Sequence, residues 1–332
     1  MKSKIYILLG VMVFFIIIGS VIISLAKKDI ETDITKADDR LKVVTTFYPV
    51  YMIGSNLAEG IEGIEVKSLT DLNTGCLHDY QLTTEDMKII SEADVMIING
   101  GGMESFLEDI IANYPELSII DASEGIDMLP SVEEHEEEAT EGEELEEEHE
   151  HGEWNAHVWL DPKLYIQQIR QVTEGIVDYI RAKDDLDPAV IDQLNRNSDN
   201  YINKIDELDQ QVTALANELG KSPTSREAVI FHDAFAYLAN RIGITVAHTV
   251  SLDSDTALSA GDIGEIIDEV NDGNIHYLFT EEQYSDSIAS QIAAETGAAL
   301  YIIDSAVTGD GANDSYIVSI QENIKSLKKL VK

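Results

Sequence analysis

Three histidines and one aspartate in this sequence carry side chains that bind metal ions and stand in comparable places. They are His78, His157, His232 and Asp304, and each follows a predicted β-strand, in a loop. In an open α/β sheet, ligands gather at the carboxyl ends of the strands, where the loops converge. Three imidazoles and one carboxylate suit a four-coordinate Zn²⁺, a cation that favours nitrogen ligands. The set therefore predicts a zinc site, whereas a manganese site would be expected to carry more carboxylates.

Each of these residues also has an ordinary structural role that the sequence leaves open. A lone histidine in an apolar segment, such as His157 before the apolar run 158–160, is usually a core or surface residue. Asp304 after a strand is most often a helix cap or a turn residue. Asp233 could orient the ring of His232 or cap the helix that it begins. Only the joint presence of three histidines at separate strand ends favours the metal site.

Two more residues near the candidate ligands could support the site. Cys76 lies two positions before His78 and hints at thiolate ligation, although the short C-x-H pattern is weak and a packed thiol explains it equally well. Glu281 follows a predicted strand and could line the cleft. Since Cys76 is the only cysteine, an intramolecular disulfide and a cysteine-rich zinc framework are both excluded. Cys76, Asp233 and Glu281 are therefore candidates for supporting residues around the metal.

A strongly acidic loop at 131–153 precedes His157. Residues 133–153 contain thirteen glutamates together with His135, His149 and His151. Such a composition is typical of a solvated, disordered segment. Its histidines also permit weak, exchangeable capture of metal ions.

The charge balance narrows the class of partner. The chain has 332 residues and a net charge of −41, with 63 acidic and 22 basic side chains. Phosphate binding needs clustered lysine and arginine, so nucleic acid is excluded as a partner. The charge fits a protein that attracts cations, or one adapted to salt, and does not separate the two.

The N-terminus predicts a location outside the cytoplasm. Residues 5–26 are 22 uncharged and mostly apolar residues. A spanning helix needs about 20 such residues and a signal-peptide core about 7–15, so the length favours a retained membrane anchor within 1–28. Ser24 and Ala26 are small residues at the two positions that a signal peptidase recognises, so cleavage before Lys27 is an alternative. In either case the remainder is expected to face outward.

The rest of the chain alternates between predicted strands and helices in two stretches. We predict an α/β fold with two lobes, each with a parallel sheet flanked by helices, joined by one long rigid helix. Apolar residues at steps of four and three from Tyr201 to Leu219 predict that helix. The apolar run 158–160 is expected to be strand-like. The predicted units are a linker at 29–40, a first lobe at 41–186, the helix at 187–222 and a second lobe at 223–332.

The Gly-rich segment 100–102 follows a predicted strand. It lacks the GxGxxG pattern and has no following Lys-Ser/Thr pair, so the segment does not predict a phosphate-binding loop. A sharp turn into a helix that begins at Met103 is the expected structure.

Several segments together resemble the substrate-binding proteins of zinc and manganese ABC transporters, in particular those of high-affinity zinc uptake. They cover residues 41–332 and include TFYPVY (46–51), LHDYQLTTEDM (77–87), ADVMIINGGGMESFLE (93–108), DASEGI (121–126), HVWLDP (157–162), FHDAFAYLANRIGI (231–244), FTEEQYS (279–285) and AAETGA (293–298). The resemblance implies the two-lobed architecture of cluster A-I proteins, with the metal held between the lobes. It implies His78, His157 and His232 as zinc ligands. Asp304 matches a position that is a ligand in some members and is close to the metal, or replaced by water, in others.

The sequence departs from that family pattern at three places. No lipid-accepting cysteine follows Ala26, Cys76 and Leu77 stand where relatives often have Asp-Pro, and Ser305 replaces the usual proline after the final aspartate. The second departure leaves open whether sulfur joins the metal.

The resemblance implies a monomeric, non-enzymatic protein outside the cytoplasm that binds Zn(II) and delivers it to an ABC transporter permease. Manganese is an alternative cargo. A secreted zinc hydrolase is a second alternative, since three histidines could activate water, but the chain has no HExxH motif. A surface adhesin or metal-buffering protein is a third, in which the acidic loop would matter more than the cleft.

Overall fold

The computed structural model of this chain describes residues 40–131, 154–183, 187–221, 226–250, 258–281 and 287–331. The predicted anchor or signal peptide at 1–28 lies outside these residues, as does nearly all of the acidic loop with His135, His149 and His151. Across the described ranges, no helix combines the length and the apolar character needed to cross a membrane.

Two four-stranded sheets organise the described residues, and every strand pairing in them is parallel. The strands are β1 (Leu41–Thr45), β2 (Ile64–Ser68), β3 (Val95–Ile98), β4 (Ser118–Asp121), β5 (Glu227–Ile230), β6 (Thr245–Thr249), β7 (Tyr277–Thr280) and β8 (Ala299–Ile302). The first sheet has the order β2-β1-β3-β4 and the second β6-β5-β7-β8, so the two lobes repeat one topology. The predicted α/β fold with two parallel sheets is confirmed.

Helices connect the strands and cover the sheets, as parallel pairing requires. They are α1 (Tyr48–Ala58), α2 (Thr84–Ser91), α3 (Leu107–Asn113), α4 (Pro162–Lys183), α5 (Pro188–Leu219), α6 (Phe235–Arg241), α7 (Ala260–Asp272), α8 (Ser287–Thr296) and α9 (Ser315–Leu327). Two 3₁₀ turns, Val158–Leu160 and Lys328–Val331, complete the described elements.

Helix α5 is the long connecting helix that the apolar spacing predicts. It has 32 residues, which corresponds to a length of about 48 Å. Its first turn carries Pro188 behind the N-cap Asp187, whose side chain accepts a hydrogen bond from the amide of Ala189. The predicted apolar face from Tyr201 to Leu219 is buried. This face packs against α1 of the first lobe and α9 of the second, so one rigid element supports both lobes.

Buried hydrogen bonds also join the lobes directly. Trp159 donates from Nε1 to the carbonyl of Ser305 (2.9 Å), and its own carbonyl accepts from the hydroxyl of Tyr316 (2.6 Å). The hydroxyl of Tyr237 donates to the carbonyl of Asn155 (2.7 Å). All these side chains are almost fully buried. The segment around residue 157 is therefore held by both lobes at once.

The expectation of a strand-like segment at 158–160 is wrong. These residues form a 3₁₀ turn, and His157 follows the isolated bridge between Pro130 and Trp154 instead of a strand. The apolar run misled because a short, fully buried segment gives no periodicity that separates strand from helix.

The Gly-rich segment forms the sharp turn that we predict, with positive φ at Gly100, Gly101 and Gly102. The following helix, however, begins at Leu107 and not at Met103. The buried carboxylate of Glu104 accepts hydrogen bonds from the amides of Asn99 (2.7 Å) and Gly100 (3.1 Å), which keeps this segment out of the helix. Burial raises the pKa of Glu104 to about 7. The loop amides thus bind a carboxylate of the chain itself.

Candidate metal centre

His157 is held in one orientation and one tautomer by Asn155. The Asn155 side-chain oxygen accepts a hydrogen bond from the His157 backbone amide (3.0 Å), which identifies that atom as oxygen. The same oxygen lies 3.0 Å from Nδ1 of His157, so Nδ1 carries the proton. The amide nitrogen of Asn155 donates to the carbonyl of Asp233 (3.0 Å) in the second lobe. Nε2 of His157 therefore presents a lone pair, the form that binds a metal ion.

His232 and Glu281 meet because β5 and β7 are neighbours in register. Ile230 pairs with Phe279, and the two functional side chains each lie two residues beyond that pair. Nδ1 of His232 lies 2.8 Å from Oε1 of Glu281, and both side chains are almost fully buried. A carboxylate behind a histidine orients the ring and makes the opposite nitrogen a better metal ligand.

The loop between β2 and α2 brings Cys76 to these two rings. Its Sγ lies 3.5 Å from Nε2 of His157 and 3.8 Å from Nε2 of His232. Among the residues that the structure describes, these three side chains form the one group whose potential ligand atoms all lie within 4.8 Å of one another. The group combines the first lobe, through Cys76 and His157, with the second, through His232.

His78 lies beside the same group. Its ring centre is 5.3 Å from that of His157, which in turn is 4.9 Å from the ring centre of His232. In a tetrahedral zinc site with bonds of about 2.1 Å to nitrogen, two ring centres are roughly 5 Å apart. His78 thus lies next to His157, whereas the group whose ligand atoms lie within 4.8 Å of one another includes His157 and His232 but not His78, whose role as a ligand stays a prediction.

Burial and neighbouring side chains shift the pKa values of His157 and His232. Trp159 is fully buried and its ring centre lies 5.1 Å from that of His157. Burial lowers the pKa of His157 well below its usual value, and the nearby rings of His232 and His78 lower it further. Burial lowers the pKa of His232 too, but its contacts with Cys76 and Glu281 outweigh burial and hold that pKa well above the usual value. His157 is therefore neutral near pH 7, whereas protons compete with a metal ion for the ring of His232.

Asp304 stands at the same edge of the second sheet but further from the imidazoles. It follows β8, which is two strands away from β5, a separation of roughly 10 Å at about 4.8 Å per strand. Its Oδ1 accepts a hydrogen bond from the amide of Ala306 (2.8 Å). Asp304 as a metal ligand stays a prediction.

Asp233 enters the site through its backbone. Its carbonyl accepts the hydrogen bond from Asn155 and another from the amide of Ala236 (3.0 Å). The N-cap of α6 is Ala234, so the capping role considered for Asp233 does not match the observed start of the helix.

Sequence reasoning missed Asn155, which is 2% exposed and holds His157. An asparagine two residues before a candidate ligand is a recognisable signal, because its side chain commonly accepts a hydrogen bond from the backbone two residues on. Sequence reasoning also missed Asn99 at the end of β3, whose side chain donates to the carbonyl of Ala156 (2.9 Å) and so fixes the same segment.

Residues 43–330 match the family model described as zinc-uptake complex component A, periplasmic (ZnuA). Because the match extends over most of the chain, the chain belongs to this family. That membership agrees with the resemblance seen in the sequence.

Individual relatives are distant but cover most of this chain. The zinc-binding lipoprotein AdcA of Streptococcus pneumoniae is 28% identical over 301 residues, which are 89% of this chain and 56% of AdcA. The chain thus spans about half the length of that relative. The high-affinity zinc uptake system protein ZnuA of Bacillus subtilis is 27% identical over 308 residues, 87% of each chain.

The crystal structure of Zn(II)-bound AdcA from Streptococcus pneumoniae shares the fold. Its TM-score is 0.68 at 24% identity, and the alignment covers 87% of this chain and 57% of AdcA. The likeness supports the two-lobed architecture.

Proposed function

We propose that this member of the zinc-uptake component A family binds one zinc ion as cargo between its lobes and delivers it to an ABC transporter permease. His78, His157 and His232 are the nitrogen ligands. The observation that carries the proposal is that the Nε2 atoms of His157 and His232, on two buried rings from different lobes, both lie close to Sγ of Cys76, with the ring of His78 beside them. Zinc uptake by the family and zinc binding in the names of its relatives give further support.

The ligand chemistry favours zinc over manganese. Imidazole is a borderline donor that suits zinc, whereas manganese prefers carboxylates and water. The carboxylate of Glu281 lies 2.8 Å from Nδ1 of His232, on the side of that ring away from Cys76, and orients the ring. Manganese remains the competing cargo, and a carboxylate-poor cleft should bind it weakly.

The surroundings suit carriage more than catalysis. Nearly full burial of His157 and His232 keeps water away from the ion, and a closed set of protein ligands holds a metal without activating water. Release requires that the ligands separate. Because α5 and the hydrogen bonds of Trp159 and Tyr237 tie the lobes together, we expect this to be a small displacement of the ligand loop or one lobe.

The proposed location is outside the cytoplasm, where a permease receives cargo for uptake. The periplasmic description of the family and the lipoprotein relative support it. The apolar segment 5–26 would keep the protein at the membrane, and cleavage after Ala26 would release it.

Metal analysis tests the cargo. We expect the full-length chain, purified without added metal, to contain close to one zinc ion per molecule. In a titration against a coloured chelator, zinc should bind far more tightly than manganese. His157→Ala and His232→Ala should each weaken zinc binding by at least about 100-fold, because each removes one ligand.

A matched histidine variant controls for nonspecific effects. His248 contacts Glu269 on the outer part of the second lobe, so His248→Ala should leave zinc binding unchanged. If manganese binds more tightly than zinc, manganese is the cargo. If the chain has no tight metal site, the proposal is wrong. Delivery is tested by zinc uptake into cells that depend on the chain, which His232→Ala should abolish at limiting zinc.

A further inference from the structure

We propose that the thiolate of Cys76 is the fourth ligand of the zinc ion, in the coordination position that Asp304 or water would otherwise fill. This inference rests on the proposed function, because it concerns the same ion. It assigns the chain a site of one sulfur and three nitrogens, with Cys76 as a residue that determines metal specificity.

The distances around Cys76 match those of a shared metal ion. In a tetrahedron with zinc–sulfur bonds of about 2.3 Å and zinc–nitrogen bonds of about 2.1 Å, sulfur and nitrogen are about 3.6 Å apart. Sγ of Cys76 lies 3.5 Å from Nε2 of His157 and 3.8 Å from Nε2 of His232. Both sulfur–nitrogen distances are therefore within about 0.2 Å of the tetrahedral value.

Hydrogen bonds account for these contacts when no ion is bound. Nε2 of His157 is an acceptor, since Asn155 fixes the proton on Nδ1, and it can accept from the thiol of Cys76. A protonated His232, whose Nδ1 lies 2.8 Å from Glu281, can donate from Nε2 to the sulfur. A divalent cation would replace both hydrogen bonds and bind the sulfur and both nitrogens together, with the thiol proton and the Nε2 proton of His232 released on binding.

The competing carboxylate is less well placed. Asp304 follows β8, two strands from His232, and its Oδ1 already accepts a hydrogen bond from the amide of Ala306. Cys76 lies two residues before His78 in one loop, so a single segment of the first lobe supplies both sulfur and nitrogen. A thiolate is a soft ligand and favours zinc over manganese more strongly than a carboxylate does.

The decisive experiment uses cobalt(II) as a probe for zinc in the full-length chain. A thiolate bound to cobalt gives an intense sulfur-to-cobalt charge-transfer band in the near ultraviolet, which nitrogen and oxygen ligands do not give. Because Cys76 is the only cysteine, any such band identifies it. We expect the parent chain to show the band at one equivalent of cobalt, Cys76→Ser to lose it, and Asp304→Asn to keep it.

Two further measurements compare the same proteins. Zinc should protect the single thiol of the unmodified chain from a thiol reagent, and removal of zinc should restore its reactivity, a readout that requires no variant. Cys76→Ser should bind zinc at least about tenfold more weakly and lose much of its preference over manganese, whereas Asp304→Asn should change both by less than about threefold.

The outcomes separate the inference from the proposed function. A parent chain that binds cobalt and zinc tightly without the charge-transfer band and without thiol protection overturns the role of Cys76 and leaves zinc carriage intact. A parent chain that binds neither metal overturns both. If Asp304→Asn weakens zinc binding more than Cys76→Ser does, the carboxylate is the fourth ligand.

Discussion

Replacing Asn155 by alanine tests whether the lock on His157 contributes to metal binding. The substitution removes the partner of the backbone amide and of Nδ1 of His157, and one of the two partners of the carbonyl of Asp233, which keeps its hydrogen bond from Ala236. Loss of a partner that orients a ligating histidine weakens metal affinity by roughly 10- to 100-fold, or about 1.4–2.8 kcal/mol. Each buried group left without a partner costs about 1–3 kcal/mol, so with two such groups we expect the free energy of unfolding to fall by about 2 kcal/mol or more.

The measurement is a competitive zinc titration, combined with denaturant unfolding in the absence of metal. Asn56→Ala is the matched control, because Asn56 is also buried and donates to the carbonyls of Met52 (2.8 Å) and Asn313 (3.1 Å) without touching the imidazoles. It should lower stability and leave zinc affinity unchanged. Folded Asn155→Ala protein that binds zinc as tightly as the parent would refute the reasoning. Equal losses of affinity in both variants would assign the effect to stability alone.

Three more predictions concern acidity, the lobe contact and the acidic loop. Zinc affinity should fall as pH decreases, and the fall should begin above pH 6.5, because the raised pKa of His232 lets protons compete with zinc for that ring. Glu281→Gln lowers this pKa by removing the carboxylate beside the ring. In titrations at several pH values, zinc affinity of the variant should begin to fall at a lower pH and should be about tenfold weaker at neutral pH. Gly309→Ala would place a Cβ 2.5 Å from the ring of Tyr48 and should lower the free energy of unfolding by about 1–3 kcal/mol, whereas Gly264→Ala, on a helix with open space around it, should not lower it. Removing residues 133–153 should leave one tight zinc site in a titration, and loss of that site would favour a buffering role for the loop.

The local pattern of apolar and polar residues was sufficient to predict the two sheets and the long connecting helix. Alternation of apolar segments and helical stretches predicted two parallel sheets, and the apolar spacing from Tyr201 to Leu219 predicted the buried face of α5. These features depend on side-chain periodicity, which is a property of neighbouring residues. The segment at 158–160 escaped this reasoning, since a buried apolar run has no periodic polar face.

The candidate site was predicted in its residue types and only partly in its arrangement. His78, His157, His232 and Asp304 could be proposed as ligands because each follows a predicted strand and carries a side chain that binds metal ions. Cys76 and Glu281 could be proposed only as supporting residues. Tertiary structure brings Cys76 against both rings and seats Glu281 behind His232.

The reason is that strand order and register arise from packing between segments far apart in the chain. Glu281 reaches His232 because β7 pairs with β5, while Asp304 lies one strand further away. A single exchange of β7 and β8 in the sheet would reverse their roles without any change in local sequence pattern. The sequence by itself determined which side chains could bind a metal ion, and the assembly of two sheets around α5 decided which of them meet.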